Sequence, residues 1–374
     1  MNVLCVLGSR ANVIKAKPVV DALERSGQQV ELVSVGYDPA GALGAACAEI
    51  GLRPPDAHLE VGQGSEAVRM AKAMIVFERH LEAAHADWVL VIDHAAVALG
   101  SALVATKAGI RVAHLEAGLR SHDWSDDAEI HRTAIDRLSD LLLVPSPDGV
   151  GNLRIEGYDN WQIQLVGNTL VDTLRANLDR MQAADTLQRL GLRPGRYALL
   201  ALKAGPADTD VADAVAKLGQ QLPVVTATDT GPSDIVGWHV HRQGDIDTDE
   251  ITSEPCGYID RLALIAGARL VITDIGDVQD ETTALGVGCI TPAATTGRQA
   301  TLVHGTNRLV PADTTSIIEA AVELLSDAPE PRCPLLWDGN AAQRVVNALA
   351  KAELHGGRRR SVGAHSRSGA DSVA

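Results

Sequence analysis

Short apolar runs alternate along this chain with longer stretches in which apolar positions recur at helical spacing. The runs Val3-Leu4-Cys5-Val6-Leu7, 30–35, 88–92 and 111–115 read as strands, and the patterns between them predict helices at about 12–26, 40–51, 64–84 and 96–108. Strands separated by helices imply right-handed crossovers and a parallel sheet covered on both faces, so the first half reads as a Rossmann-like layer. A helix is expected around 170–190. The turn-rich Gly191-Leu192-Arg193-Pro194-Gly195-Arg196 then restarts the alternation with a strand at 197–202. Further strands are expected near 222–227, 237–241, 270–273 and 287–291, and a last helix from Asn340 to Leu354. The α/β pattern thus occurs twice. Residues 355–374, rich in Gly, Ser and Arg, have too little apolar content to fold and read as a flexible tail, its three arginines 358–360 being solvated.

At 374 residues the chain exceeds one ordinary core, and two domains are expected. A net charge of −15 argues against nucleic acid and anionic membranes as partners, because such a surface repels phosphates. Cys5, Cys47, Cys256, Cys289 and Cys333 are scattered, with no paired or metal-binding spacing, and read as reduced thiols; no metal site is predicted. Met1 leads directly into a strand, and no apolar run is long enough to span a bilayer, so the chain reads as soluble and cytoplasmic.

The chemistry gathers at strand ends. The strand Asp87-Trp88-Val89-Leu90-Val91-Ile92 ends at Asp93-His94, and Val112-Ala113-His114-Leu115 ends at Glu116-Ala117-Gly118-Leu119-Arg120. Ligands of open parallel sheets bind at the carboxyl ends of strands, so Asp93, His94 and Glu116 are candidates to share one cleft. His94 suits proton transfer near neutral pH, with Asp93 orienting it. Gly8-Ser9-Arg10, between a strand and a helix, offers backbone N–H groups and a positive helix end to an anion, with Arg10 and Lys15 adding charge. A second candidate anion loop runs from Thr273 to Glu281, where Gly276 lets the backbone approach a ligand; Glu281 reads equally as a ligand contact or a capping acid.

Order and spacing of these segments, together with Ile130-His131-Arg132, Val144-Pro145-Ser146, Gly167-Asn168-Thr169, Gly257-Tyr258-Ile259-Asp260, Arg298 and Gly305-Thr306-Asn307-Arg308-Leu309-Val310, resemble the non-hydrolysing UDP-N-acetylglucosamine 2-epimerase family over about residues 1–350. The resemblance implies an α/β, GT-B-like fold: two Rossmann-like domains, 1–168 and 169–339, whose parallel sheets face across a cleft, with helix 340–354 packing back on the first. It also implies an isomerase acting on a small-molecule sugar without a cofactor, and a homodimer. In that family the 273–281 loop holds the nucleotide diphosphate, and the position of Glu281 binds ribose.

The resemblance is less faithful at the chemistry. Ile275 and Asp277 stand where the family has a Ser and a second Gly, Arg261 replaces an aromatic that packs on uracil, and Lys203 replaces a His. The family's His-Gly-Asp-Thr-Thr reads Ile92-Asp93-His94-Ala95-Ala96, so His94 fills the slot of an acid–base Asp. Of an adjacent Glu pair the first is Ala128 and the second Glu129, and the following Asn is His131; among three catalytic carboxylates only Glu116 is unchanged. Losing the stacking face costs on the order of a few kcal/mol.

These departures lead to an expected sugar epimerase that inverts a carbon next to a carbonyl by two-base proton transfer, with Glu116 and His94 as the bases. The expected substrate is a phosphorylated sugar such as a hexulose 6-phosphate, fructose 6-phosphate going to allulose 6-phosphate at C3. Arg10, Lys15, Lys203, Arg261 and Arg298 would form the phosphate pool, and Glu129, His131, Gly276, Asp277 and Glu281 would make other substrate contacts. The alternatives are a UDP-N-acetylglucosamine 2-epimerase with a rearranged site, hydrolysing or not, a GT-B glycosyltransferase, and a non-catalytic sugar-nucleotide-binding relative.

Overall fold

The structure, a computed structural model, describes residues 1–38, 41–203, 209–229, 238–242, 253–327, 329–330 and 332–354. Its first sheet is built from β1 (Asn2–Leu7), α1 (Arg10–Arg25), β2 (Gln29–Gly36), α2 (Ala42–Ile50), β3 (Ala57–Glu60), α3 (Glu66–Ala83), β4 (Trp88–Ile92), α4 (Ala96–Lys107), β5 (Arg111–Leu115), α5 (Asp127–Leu138), β6 (Leu141–Val144), α6 (Pro147–Ile155) and β7 (Ile163–Leu165). The strand order is β3-β2-β1-β4-β5-β6-β7, every pair parallel. Between β1 and β4 the order reverses direction, which opens a crevice at their carboxyl ends. The segments that leave those ends are Gly8-Ser9 and Asp93-His94.

The chain continues through α7 (Thr169–Ala176), α8 (Leu178–Gln182), α9 (Thr186–Arg189), β8 (Ala198–Leu202), α10 (Thr209–Gly219), β9 (Val224–Asp229), β10 (Trp238–Arg242), β11 (Ser253–Cys256), α11 (Tyr258–Gly267), β12 (Leu270–Thr273), α12 (Gly276–Leu285), β13 (Cys289–Pro292), α13 (Gln299–Val303), β14 (Asn307–Val310), α14 (Thr314–Ser326) and α15 (Ala341–Leu354). The second sheet runs β11-β10-β9-β8-β12-β13-β14. From β9 to β14 its neighbours are parallel, while β10 is antiparallel to both β9 and β11. Its switch point lies between β8 and β12. Two Rossmann-like sheets whose strand ends face one cleft make the fold GT-B-like.

Two sequence expectations need adjusting. The single helix at 170–190 is three pieces, because Asn177 turns the chain out of α7, its side chain donating to the Thr173 carbonyl at 2.8 Å. The strands β3, β6, β7 and β14 have only three or four residues each, too few for a period of two to register.

The main apolar cluster joins distant parts of the chain. Val3, Cys5 and Leu7 of β1 and Val13, Ile14 and Val20 of α1 share it with Tyr258 and Leu262 of α11 and with Val345, Val346 and Leu349 of α15. Trp88 donates its indole N–H to Glu353 at 3.1 Å, tying α15 to the start of β4. Cys5, Cys47, Cys256 and Cys289 are buried thiols, and burial pushes Cys5 up to about 12. Among the described residues no helix is long and apolar enough to cross a bilayer. The tail expected at 355–374, with arginines 358–360, lies outside the described residues.

Candidate functional site

A cavity of about 1060 Å³ opens between the two sheets at the ends of β1, β4, β8 and β12. Gly8, Asn12, Asp93, His94 and His131 line it from the first sheet, and Lys203, Gly276, Asp277, Gln279 and Arg298 from the second. The strand ends are tightly turned: Asp93 (φ 65) and Glu116 (φ 73) are non-glycine residues in the left-handed region. That conformation costs roughly 1–2 kcal/mol per residue, and here it swings both carboxylates toward the adjoining layer.

At the floor of the cleft sits a cross-layer ion cluster. Lys15 is fully buried, and its Nζ donates to Asp93 Oδ2 at 2.8 Å, Glu116 Oε2 at 2.9 Å and Asp277 Oδ1 at 2.9 Å. Arg298 forks onto Glu116, Nη1 to Oε1 and Nη2 to Oε2, both at 3.1 Å. It also reaches Asp277 Oδ1 and Asp280 Oδ2 at 3.1 Å. Asp280 in turn accepts from Asn168 Nδ2 at 2.9 Å. Lys15, Asp93 and Glu116 come from the first layer and Asp277, Asp280 and Arg298 from the second, so the cluster binds the layers together. Gly276 is required beside it, since a Cβ there would lie 2.9 Å from Arg298 Nε.

The electrostatics of the members diverge. Burial opposes the charge on Asp93, but His94 and Lys15 overcome it and hold the carboxyl well below the usual carboxylate range. Asp277 is likewise lowered, burial being outweighed by Lys15 and Arg298. For Asp280 burial wins over Arg298 and pushes it up to about 7. Asp93, Glu116 and Asp277 bring oxygens within 4.8 Å of one another, a spacing that could hold a metal ion, yet all three already converge on the Lys15 ammonium.

Two histidines face the cavity. His94 turns Nδ1 to Asp93 Oδ1, which also accepts its backbone N–H at 2.9 Å. His131 Nδ1 lies 2.9 Å from the His94 carbonyl, which can only accept, so the proton is on Nδ1 and the Nε2 of a neutral ring is an acceptor. Behind them is a second buried network. His114 meets Asp136 Oδ1 at 2.6 Å and the Asp93 carbonyl at 3.0 Å, while Arg120 bridges Asp136 and Glu156 at 2.7 Å each. Burial opposes the charge on Asp136, but His114 and then Arg120 overcome it and lower the carboxyl.

The structure does not assemble the expected phosphate pool. Arg10 pairs with Glu49 at 2.8 Å and Arg261 with Glu281, its guanidinium 5.0 Å above the Tyr258 ring; Lys15 is consumed by three carboxylates. Of the five, only Lys203 and Arg298 line the cavity, and Arg298 is already paired. Glu281 is fully buried behind Arg261. Burial raises it to about 7, and its Oε2 has no hydrogen-bond partner among the described residues. Glu116, expected as a base, is held by Lys15 and Arg298 and does not line the cavity. Glu129 is also turned inward, accepting from Ser121 N at 2.8 Å and His122 N at 3.1 Å, and so fixes the 121–122 turn. Sequence reasoning passed over Asp280 and Gln279. The signal was present, because Asp277, Asp280 and Glu281 are spaced i, i+3, i+4 on α12 and share a face.

Comparison with known proteins bears on the fold and the family. The profile of the UDP-N-acetylglucosamine 2-epimerase family matches residues 21–350. A UDP-N-acetylglucosamine 2-epimerase of Methanococcus maripaludis is 28% identical over 359 residues, 92% of this chain and 97% of that protein. A UDP-2,3-diacetamido-2,3-dideoxy-D-glucuronate 2-epimerase of Pseudomonas aeruginosa is 26% identical over 360 residues, 94% of this chain and all of that one. The crystal structure of Methanocaldococcus jannaschii UDP-GlcNAc 2-epimerase in complex with UDP-GlcNAc and UDP superposes with a TM-score of 0.82 at 27% identity, covering 94% of this chain and 100% of that chain.

Proposed function

This chain belongs to the UDP-N-acetylglucosamine 2-epimerase family and is a carbohydrate epimerase, and from that premise we propose that its substrate is a UDP-sugar, UDP-N-acetylglucosamine, inverted at C2. The observation that carries the reading is the cavity of about 1060 Å³ between the layers, with a buried Lys–Arg pair at the start of α12. That volume is at the upper end of small-molecule sites and suits a nucleotide sugar, whereas a hexulose phosphate would fill little of it. The relatives that the chain resembles are named for UDP-sugars, and the hexulose 6-phosphate reading has no support.

C2 of such a substrate has no neighbouring carbonyl. Its proton becomes labile only if the C1–O bond to UDP breaks while C1=C2 forms; return of a proton to the opposite face and of UDP to C1 completes the inversion. His94, oriented by Asp93, is the cleft-facing group that takes or returns a proton. Lys15 and Arg298 suit the charge that builds on the departing diphosphate, and as they turn to it they release Glu116 as the second base. A positioned acid or base is worth roughly 10²–10⁴-fold in rate. The test is NMR of UDP-N-acetylglucosamine with the enzyme in heavy water. Deuterium at C2 of both epimers supports the reading, and a spectrum with neither exchange nor free UDP overturns it. The family resemblance also carries the expectation of a homodimer, which light scattering at assay concentration checks.

A further inference from the structure

Asp277 stands where two buried cations and a helix start converge. Its Oδ1 receives Lys15 Nζ at 2.9 Å and Arg298 Nη2 at 3.1 Å, and the residue lies in the first turn of α12, where free N–H groups and the helix dipole favour negative charge. It lines the cavity, as do Gly276 and Arg298 beside it. A carboxylate here has the environment that a phosphate oxygen would seek. Lys15 and Arg298 also keep other partners: Asp93 and Glu116 for the first, Glu116 and Asp280 for the second. The two cations therefore do not need Asp277 to remain paired.

We propose that Asp277 is a resident anion that fills the phosphate position of the cleft, so that affinity for a phosphate or diphosphate group is set by competition with its carboxylate. The mention of a diphosphate rests on the UDP-sugar reading; the occupied anion position does not. The residue thereby acts as a specificity determinant. It penalises ligands that bring strong negative charge to the start of α12, and it must swing aside before a diphosphate reaches Lys15 and Arg298.

The experiment measures binding of inorganic pyrophosphate and of UDP to the full chain by calorimetry, in the native protein and in Asp277→Asn, Asp277→Gly and Glu66→Gln. Glu66 lines the same cavity and has no contact with Lys15 or Arg298, so it reports the effect of removing one nearby negative charge. Both Asp277 variants should bind pyrophosphate about tenfold more tightly or better, the scale of a charge-assisted hydrogen bond regained, while Glu66→Gln stays within about twofold. Both should also fold, losing only the stabilisation that the Asp277 charge itself supplies, because the cations keep their other carboxylates. Unchanged pyrophosphate affinity in both variants, an equal gain in Glu66→Gln, or failure of both Asp277 variants to fold would overturn the inference. Because pyrophosphate carries neither uracil nor sugar, a gain for it persists even if UDP-N-acetylglucosamine proves not to be the substrate. A gain for UDP that greatly exceeds that for pyrophosphate assigns a nucleoside contact in addition.

Discussion

Two buried ionic networks meet at Asp93 and differ in what they can do. The one around Asp136 lies wholly within the first layer: His114, Arg120, Glu156 and the Gly118 N–H saturate it, and no member faces the cavity. The one around Lys15 spans both layers, opens to the cavity through Asp93, Asp277 and Arg298, and sets two cations against four carboxyl groups. The first can only hold a shape. The second is over-supplied with acid and can exchange partners, which is the property a ligand site needs.

The difference predicts separate kinds of damage. The largest effect is expected at His94, the cleft-facing end of the second network. His94→Asn should lower turnover by roughly 10²–10⁴-fold with the fold intact, and steady-state kinetics beside a melting curve would show whether the loss is chemical. If turnover survives, His94 is only packing, and the second network is as structural as the first.

Asp136→Ala should do the opposite. Removing the carboxylate strands the buried Arg120 guanidinium between fewer partners, a loss of about 3–5 kcal/mol in urea unfolding. Residual enzyme should keep its Michaelis constant, and a raised constant at undiminished stability would merge the two networks.

Next comes pH, which divides the buried carboxyl groups themselves. Asp280 and Glu281, held near 7, lie above their unfolded values of about 4. Between about pH 4 and pH 7 the unfolded chain gives up these protons first, so their contribution to stability falls as pH rises through that window. Asp93, Asp277 and Asp136 are depressed, so theirs is present above the ordinary carboxylate range and is lost as pH drops below about 4. The double variant Asp280→Asn with Glu281→Gln should flatten the decline between pH 5 and pH 7 by up to about 1.4 kcal/mol per pH unit for each group. Equal slopes in urea titrations of variant and native protein would mean that neither carboxyl carries its proton in the folded state.

The smallest effect sharpens the scale. Arg308 and Glu323 pair at 2.9 Å with side chains half exposed or more, and Glu323→Ala should change stability by less than about 0.5 kcal/mol. A larger change would show that distance alone, without burial, ranks the ion pairs of this protein.

The parallel layers were legible in the sequence because buried strands such as Trp88–Ile92 and Ala198–Leu202 are continuous apolar runs, and the convergence of Asp93 and His94 follows from where such a run ends. The partners of Lys15 were not. Lys15 and Asp277 are 262 positions apart and meet only because two layers close on each other, a relation that no local period encodes. Read singly, Arg261 looked like a cation gained for a phosphate, and Asp277 like a substrate contact whose charge disfavours a diphosphate. In three dimensions each lies on an opposite charge from another segment, Glu281 for the first and Lys15 for the second, and only the pairing reveals what the charge faces.

The return of α15 to the first sheet bears on how the chain acquires its structure. Trp88 and Glu353 are 265 positions apart, and Val345 and Leu349 complete the same cluster as β1. During synthesis the amino-terminal half must therefore wait, its apolar surface uncovered, until nearly the whole polypeptide has emerged. Contacts of such long range are slow to form and expose collapsed intermediates to aggregation. The first core is thus completed by a late-arriving helix, and a translation product that stops short of Ala341 lacks the lid of that core.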